Sequence, residues 1–235
     1  MGLLPESSVD AISQQSYGGG MHYITDSYLD QGFFFWEDLA IKTYFAPGSR
    51  VLVASAGGGR ELIALERAGY RADGFECSRA MVEAGRLALA RRGLSATLDW
   101  SPPSVVLQMA GRFDAAIVGW NGYSYISPRA RRIEFLRSLC AQLRPGSTVI
   151  VSTAIRTQWA RMAVWTPRIA NFTRRCTFRE PVFEAGDRFE ARPKKFFTKR
   201  QLEQELIDAG CSVKTFYVWG GYGAVVASVR NADYH

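Results

Sequence analysis

Four apolar residues, Val51-Leu52-Val53-Ala54, lead within two positions into Gly57-Gly58-Gly59, and apolar residues at helical spacing follow from Arg60 to Ala68. An apolar run this short, bounded by glycines, reads as a strand buried on both faces. Such strands belong to parallel sheets covered by helices on each side. The glycines let a ligand approach the backbone at the strand end, and the helix behind them presents unpaired amides to it. One strand and one helix cannot bury themselves, so the rest of the chain has to supply more of the same unit.

It does. Arg71–Phe75 reads as a second strand, Arg79–Arg92 as a helix closed by Gly93, and Leu94–Leu98 and Ala115–Val118 as two further strands. A helix is expected from Pro128 to Leu143 with Pro145-Gly146 as its stop, and Thr148–Val151 is a fifth strand. After a gap, Thr198 caps a helix that runs to Ala209 and ends at Gly210. Ser212–Val218 and Tyr222–Val229 then form two strands joined by Gly220-Gly221. The expected fold is α/β with a doubly wound sheet. Three parts follow: residues 1–46 as an arm and lid with a helix over Gln31–Phe45, residues 47–154 and 198–235 as the core, and residues 155–197 as an insertion without clear period.

Composition narrows the class. With 13% aromatic residues in 235, a solvated coil is excluded. No apolar run approaches the roughly 18–20 residues that span a membrane. The opening Met1-Gly2-Leu3-Leu4-Pro5-Glu6 lacks the features of a secretory leader, so a cytoplasmic protein is expected. The four cysteines form no CxxC pair, and the two histidines are His22 and the terminal His235. Free thiols and no metal are expected. The net charge is +7, concentrated in residues 151–200, which carry twelve basic and four acidic residues. No helix-turn-helix, zinc-finger or RNP signature accompanies that charge, which disfavours nucleic acid and favours an anionic small molecule.

The chemistry-bearing residues sit at strand ends. Glu76 closes the second strand, where a carboxylate suits the two hydroxyls of a ribose. Asp99 and Trp100 close the third, offering an acceptor for an adenine amino group and a ring to lie against the base. Read from Gly57, the dinucleotide fingerprint meets Leu62 where it needs a small residue, which counts against NAD, and no phosphate-binding GxxxxGK[ST] exists.

At these residues the chain resembles the class I S-adenosylmethionine-dependent methyltransferases. The likeness is carried by Val51 to Glu61, Gly74 to Ser78, Asp99-Trp100, Phe113 to Val118, Leu143-Arg144-Pro145-Gly146 and the C-terminal hairpin, and it covers residues 45–155 and 197–229. The resemblance implies a Rossmann-like, seven-stranded sheet, mostly parallel, with its last strand antiparallel. It implies S-adenosyl-L-methionine as cofactor, held by Ser55, Ala56, Gly57 and Gly59 along the methionine part, Glu76 and Cys77 at the ribose, Asp99 and Trp100 at adenine, with Gly119, Trp120 and Tyr17 completing the site. The segment Gly119-Trp120-Asn121-Gly122-Tyr123 is similar to the turn near the methyl group in small-molecule N-methyltransferases.

Asn121 and Tyr123 are therefore candidate catalytic residues, joined by His22 as general base and by Tyr23 from the lid. Tyr28, Arg156, Arg161 and Trp165 are candidate acceptor contacts, because arginine forks and aromatic rings alternate through the insertion. The expected reaction is N- or O-methylation of a small molecule with an anionic group, in a chain able to form a homodimer. The chain departs from the family at Val53, where an acidic residue is frequent, and at Ser55, where glycine is. The competing readings are an RNA or DNA methyltransferase, an aminopropyltransferase, and a non-catalytic protein that retains the fold.

Overall fold

The computed structural model describes residues 21–156, 162–176, 183–189 and 193–230. Its elements in chain order are α1 (Asp26–Leu29), α2 (Phe35–Tyr44), β1 (Arg50–Ala54), α3 (Arg60–Arg67), β2 (Arg71–Glu76), α4 (Arg79–Arg91), β3 (Thr97–Trp100), β4 (Phe113–Val118), α5 (Arg129–Cys140), β5 (Leu143–Ala154), α6 (Met162–Cys176), β6 (Asp187–Phe189), β7 (Pro193–Lys195), α7 (Lys199–Asp208), β8 (Cys211–Trp219) and β9 (Tyr222–Val229). Short 3-10 turns stand at Met21–Ile24 and Gly122–Tyr125.

Seven strands form one sheet in the order β3-β2-β1-β4-β5-β9-β8. The neighbours from β3 to β5 run parallel, and β9 lies antiparallel between β5 and β8. This is the mostly parallel, doubly wound sheet with an antiparallel C-terminal hairpin that the strand–helix rhythm predicts.

The alternation of side chains sorts the strand residues into two cores. Leu52, Ala54, Ala116, Val118, Val149, Val151, Val225 and Ala227 pack on one face, under α5 and α7. Val51, Val53, Ala115, Ile117, Ile150, Ala224 and Val226 pack on the other, under α2, α3 and α4. Each fully buried Val, Leu or Ile contributes about 1.5–3 kcal/mol relative to exposure, so both faces need their helices.

Several boundaries differ from the sequence reading. The helix expected over Gln31–Phe45 begins only at Phe35, and its first turn is closed by Glu37, which accepts from the Phe34 amide at 2.8 Å. The helix expected to reach Leu143 ends at Cys140, because Leu143 pairs with Phe113 and already belongs to β5. The insertion is not without regular structure: it holds α6 and the β6–β7 hairpin. Among the described residues no helix is long and apolar enough to cross a membrane. Cys140 and Cys211 face each other in the core with 3.4 Å between their sulfurs, as free thiols.

Candidate active site

Strand order reverses between β1 and β4, and an open α/β sheet binds ligands at the carboxyl ends of its strands at that point. Here β1 gives way to Ser55-Ala56 and the glycine turn. Gly59, at φ +93°, caps α3 in a left-handed conformation that glycine adopts at no steric cost. Ser55, at φ +54°, holds a left-handed conformation too, with a side chain.

Glu76 is buried at the end of β2. Its Oε1 accepts from the amides of Cys77 at 2.8 Å and Ser78 at 2.9 Å, and its Oε2 from the amide of Gly57 at 3.0 Å. The carboxylate thus ties the glycine turn to the first turn of α4, and Oε2 keeps a lone pair for another donor. A cleft opens beside it, lined by Ser55, Phe75, Glu76, Cys77, Gly122, Tyr125 and the segment Ser101–Val105.

The third strand end is arranged differently from the expectation for adenine. Asp99 is ion-paired with Arg86 on the surface. Trp100 donates from Nε1 to the Cys77 carbonyl at 2.9 Å and carries the Arg79 guanidinium 3.8 Å from its ring centroid. It is Ser101-Pro102-Pro103-Ser104-Val105, the next residues along, that line the cleft.

A buried ion cluster stands behind the glycine turn. Arg60, 1% exposed, donates to both oxygens of Glu37 at 2.7 Å, to Glu61 Oε1 at 2.8 Å and to the Gly32 carbonyl at 2.7 Å. Glu37 and Glu61 are themselves 2% and 4% exposed. Burial pushes the Glu37 carboxyl up against the pull of Arg60. Glu61 Oε1 also lies 3.4 Å from the amide of Trp120, which places the carboxylate over the β1–β4 crevice. Sequence reasoning missed this cluster, because three charged residues near helix starts look like ordinary surface residues.

After β4, Gly119 donates to the Ala54 carbonyl at 2.8 Å, locking the loop to β1. Trp120 packs on Phe34 at 4.9 Å and Tyr222 at 4.6 Å between centroids, and Trp219 stacks on Trp36 at 4.6 Å. These rings form an aromatic floor at the carboxyl edge of the sheet, and Lys194 stands 5.6 Å and 6.0 Å from the ring centroids of Tyr125 and Tyr222. Asn121, at φ +58°, is 5% exposed, and its Oδ1 has no hydrogen-bond partner.

Tyr123 is placed apart from the other candidates. It is fully buried, donates to Glu205 Oε2 at 2.7 Å, and burial and that carboxylate hold its hydroxyl well above the ordinary phenol range. The tyrosine of this turn that reaches the cleft is Tyr125.

The N-terminal segment lies on the glycine turn: a Cβ on Gly58 would stand 2.6 Å from the Tyr23 carbonyl oxygen. His22, Tyr23 and Tyr28 form a ring cluster with centroids 5.2–5.6 Å apart. His22 and Tyr23 are exposed, and Tyr28 is pushed up to about 12 by burial and by Glu61. Arg156 bonds through its amide to the Phe197 carbonyl at 2.7 Å, beside the bridge joining the insertion's end to β5. Tyr17 and Arg161 lie outside the described residues, as does the side chain of Trp165. Among the described residues no group of three or more His, Cys, Asp or Glu is placed to hold a metal ion.

No protein-family model matches the chain, and no curated protein matches it. Solved structures do. A 1,6-didemethyltoxoflavin-N1-methyltransferase from Burkholderia thailandensis, with 1,6-didemethyltoxoflavin and S-adenosylhomocysteine bound, superposes with a TM-score of 0.70 at 17% identity, over 97% of this chain and 92% of its own. An S-adenosylmethionine-dependent methyltransferase from Methanosarcina mazei gives 0.67 at 16% identity, over 85% and 99%. The cyclase SpnF gives 0.61 at 14%, over 83% and 80%. At these identities the likeness is one of fold: the chain has the class I S-adenosylmethionine-dependent methyltransferase fold, and a shared fold can carry different chemistries.

Proposed function

We propose that this chain is an S-adenosylmethionine-dependent methyltransferase acting on a small molecule with a planar, aromatic body and an anionic group. The observation that carries the reading is Glu76: a buried carboxylate at the end of β2, beside the glycine turn, with an oxygen able to accept from a ribose hydroxyl. The cleft next to it lies at the carboxyl end of the sheet, where open α/β folds take small ligands. The adenosine part fits between Glu76, Cys77 and Ser101–Val105, and the amino-acid part along Ser55 to Gly59. When bound, the cofactor supplies an electrophilic methyl group on a sulfonium.

The remaining work is positional. The floor of Trp120, Trp219 and Tyr222 suits a flat acceptor, and Lys194 supplies positive charge beside it. Holding donor and acceptor in line and excluding water supplies much of the rate of a displacement whose leaving group is already good. No role as general base is given to Tyr123, whose hydroxyl is spent on Glu205. The Burkholderia thailandensis neighbour is named as an N1-methyltransferase of 1,6-didemethyltoxoflavin, which supports a small-molecule acceptor.

The test is calorimetry and thermal shift with S-adenosylhomocysteine and NAD. At about 100 times its dissociation constant a ligand adds roughly 2.7 kcal/mol, which for a chain this size is on the order of 5–10 °C. The adenosyl ligand is expected to give that shift and NAD none; no shift from either removes the reading. A second reading, a fold-retaining protein that binds the adenosyl group without transferring methyl, is favoured by Val53 and Ser55 and by the cyclase named among the fold neighbours. Release of S-adenosylhomocysteine over a panel of anionic heteroaromatic acceptors separates the two.

A further inference from the structure

We infer that Glu61 is the carboxylate that receives the α-ammonium group of the cofactor's amino-acid part. The inference rests on the proposed use of S-adenosylmethionine and says which residue of this chain recognises the charged end.

Any ligand with an amino-acid tail brings an ammonium with three donors into the crevice, and a buried ammonium needs an anion and further acceptors. The carboxylates around the crevice are not equally free to serve. Glu76 accepts from three backbone amides. Glu37 takes Arg60 on both oxygens, and its Oε2 also accepts from the Phe34 amide. Glu61 differs: its Oε1 takes Arg60 and approaches the Trp120 amide, while its Oε2 takes no hydrogen bond among the described residues.

Charge points the same way. Two carboxylates share one guanidinium, and all three side chains are nearly inaccessible to water. The cluster sets two acidic side chains against one basic one, next to the point where β1 and β4 part. A cation in the crevice completes it.

An independent feature marks the same spot. Asn121 follows Trp120 directly, is 5% exposed, and has an Oδ1 without a hydrogen-bond partner among the described residues. An orphaned acceptor at a ligand crevice is explained by a donor that arrives with the ligand. Glu61 and Asn121 together give an ammonium one charged and one neutral acceptor. Strand β1 offers no acid of its own, since its inward position there is the fully buried Val53.

The alternative is a purely structural cluster that joins α2 to α3. Calorimetry with three ligands distinguishes the two: S-adenosylhomocysteine, its analogue lacking the α-amino group, and 5′-methylthioadenosine, which lacks the amino-acid tail. On the unaltered chain the desamino analogue is expected to bind about tenfold or more weaker than S-adenosylhomocysteine. In Glu61→Gln that gap closes: S-adenosylhomocysteine weakens by a similar factor, and the other two ligands keep their affinities. Equal loss for all three ligands in Glu61→Gln, or loss for none, overturns the inference. So does equal affinity of the unaltered chain for the amino and desamino ligands, a measurement that needs no variant to fold. If the unaltered chain binds 5′-methylthioadenosine but shows no amino-group preference, only Glu61 falls. If it binds none of the three, the cofactor reading falls and takes this inference with it.

Discussion

Ser55 occupies a left-handed turn that ordinarily disfavours a side chain, and the residue that makes room for it is Gly122. A Cβ added to Gly122 would stand 2.6 Å from the Ser55 Oγ and closer still to its Cβ, whereas the Ser55 Cα would be 3.9 Å away. Gly122→Ala is therefore expected to destabilise the chain by about 1–3 kcal/mol, the usual cost of overpacking. Ser55→Gly removes both clashing atoms and relieves a left-handed residue, so the double variant should recover most of the loss. Urea unfolding of the two single variants and the pair checks this, and additive losses would refute it. Glu76 makes the complementary case. Glu76→Ala leaves the amides of Gly57, Cys77 and Ser78 unpaired at a buried site, which costs about 1–3 kcal/mol, and S-adenosylhomocysteine affinity should fall with it. Unchanged affinity in a folded Glu76→Ala chain would separate this carboxylate from the ligand altogether.

Elements of the insertion and the N-terminal segment are held to the core by buried ions as well as by apolar side chains, and the ionic part is what the sequence hid. The strands announced themselves because Val51–Ala54, Ala115–Val118 and Thr148–Val151 are apolar runs buried on both faces. The helix α6 did not, since Met162–Cys176 carries Pro167 inside its length, a residue that reads as a helix stop. The glycine turn and Glu76 at the end of β2 were readable from spacing, whereas the lining of the cleft by Ser101–Val105, with Asp99 held by Arg86 at the surface, was not. The anchor of the insertion is a chain of buried ions: Tyr123 and Arg132 on Glu205, Arg132 and Lys195 on Glu184. Arg132 is fully buried, so Arg132→Met leaves the buried Glu205 only the Tyr123 hydroxyl and the more distant Arg129, and is expected to cost about 3–5 kcal/mol. Amides of β6 and β7 should then exchange faster while those of β1 and β4 do not. Uniform acceleration would mean the ions stabilise the whole sheet instead. At the other end, Asp30 is held down to about 2, against an ordinary 3.8, chiefly by Arg92 and also by Arg67. A carboxylate depressed in the folded state stabilises above its ordinary value and loses that contribution as pH falls toward the depressed one. Exchange protection around α1 should accordingly decline across that acidic interval, and Asp30→Asn should show the same loosening already at neutral pH.

Across the whole molecule, a net charge of +7 would ordinarily invite a polyanion, yet among the described residues several of the cations are taken up within the fold. Within the richest stretch, Arg174 is 6% exposed and stacked 5.9 Å from the Phe183 centroid, Arg188 lies 4.4 Å from that of Phe196, and Lys195 is buried against Glu184 and Asp187. Lys199 pairs with Glu203 at 3.7 Å. Cations used in this way stiffen the insertion and raise the local potential without matching the repeat of a phosphate backbone. A long-range field of this kind draws a small anion toward a crevice, while tight polynucleotide binding needs several simultaneous phosphate contacts. The two outcomes differ in salt dependence. A protein that neutralises six to ten phosphates shows a slope of log affinity on log salt of roughly −5 to −9, whereas incidental contact gives about −2 or shallower. Fluorescence anisotropy with labelled single- and double-stranded oligonucleotides over a salt series is expected to give the shallow slope, and S-adenosylhomocysteine should leave it unchanged. A steep slope that sharpens when the adenosyl ligand is present would move the acceptor from small molecules to nucleic acid, with the aromatic floor of Trp120 and Tyr222 then receiving an extruded base.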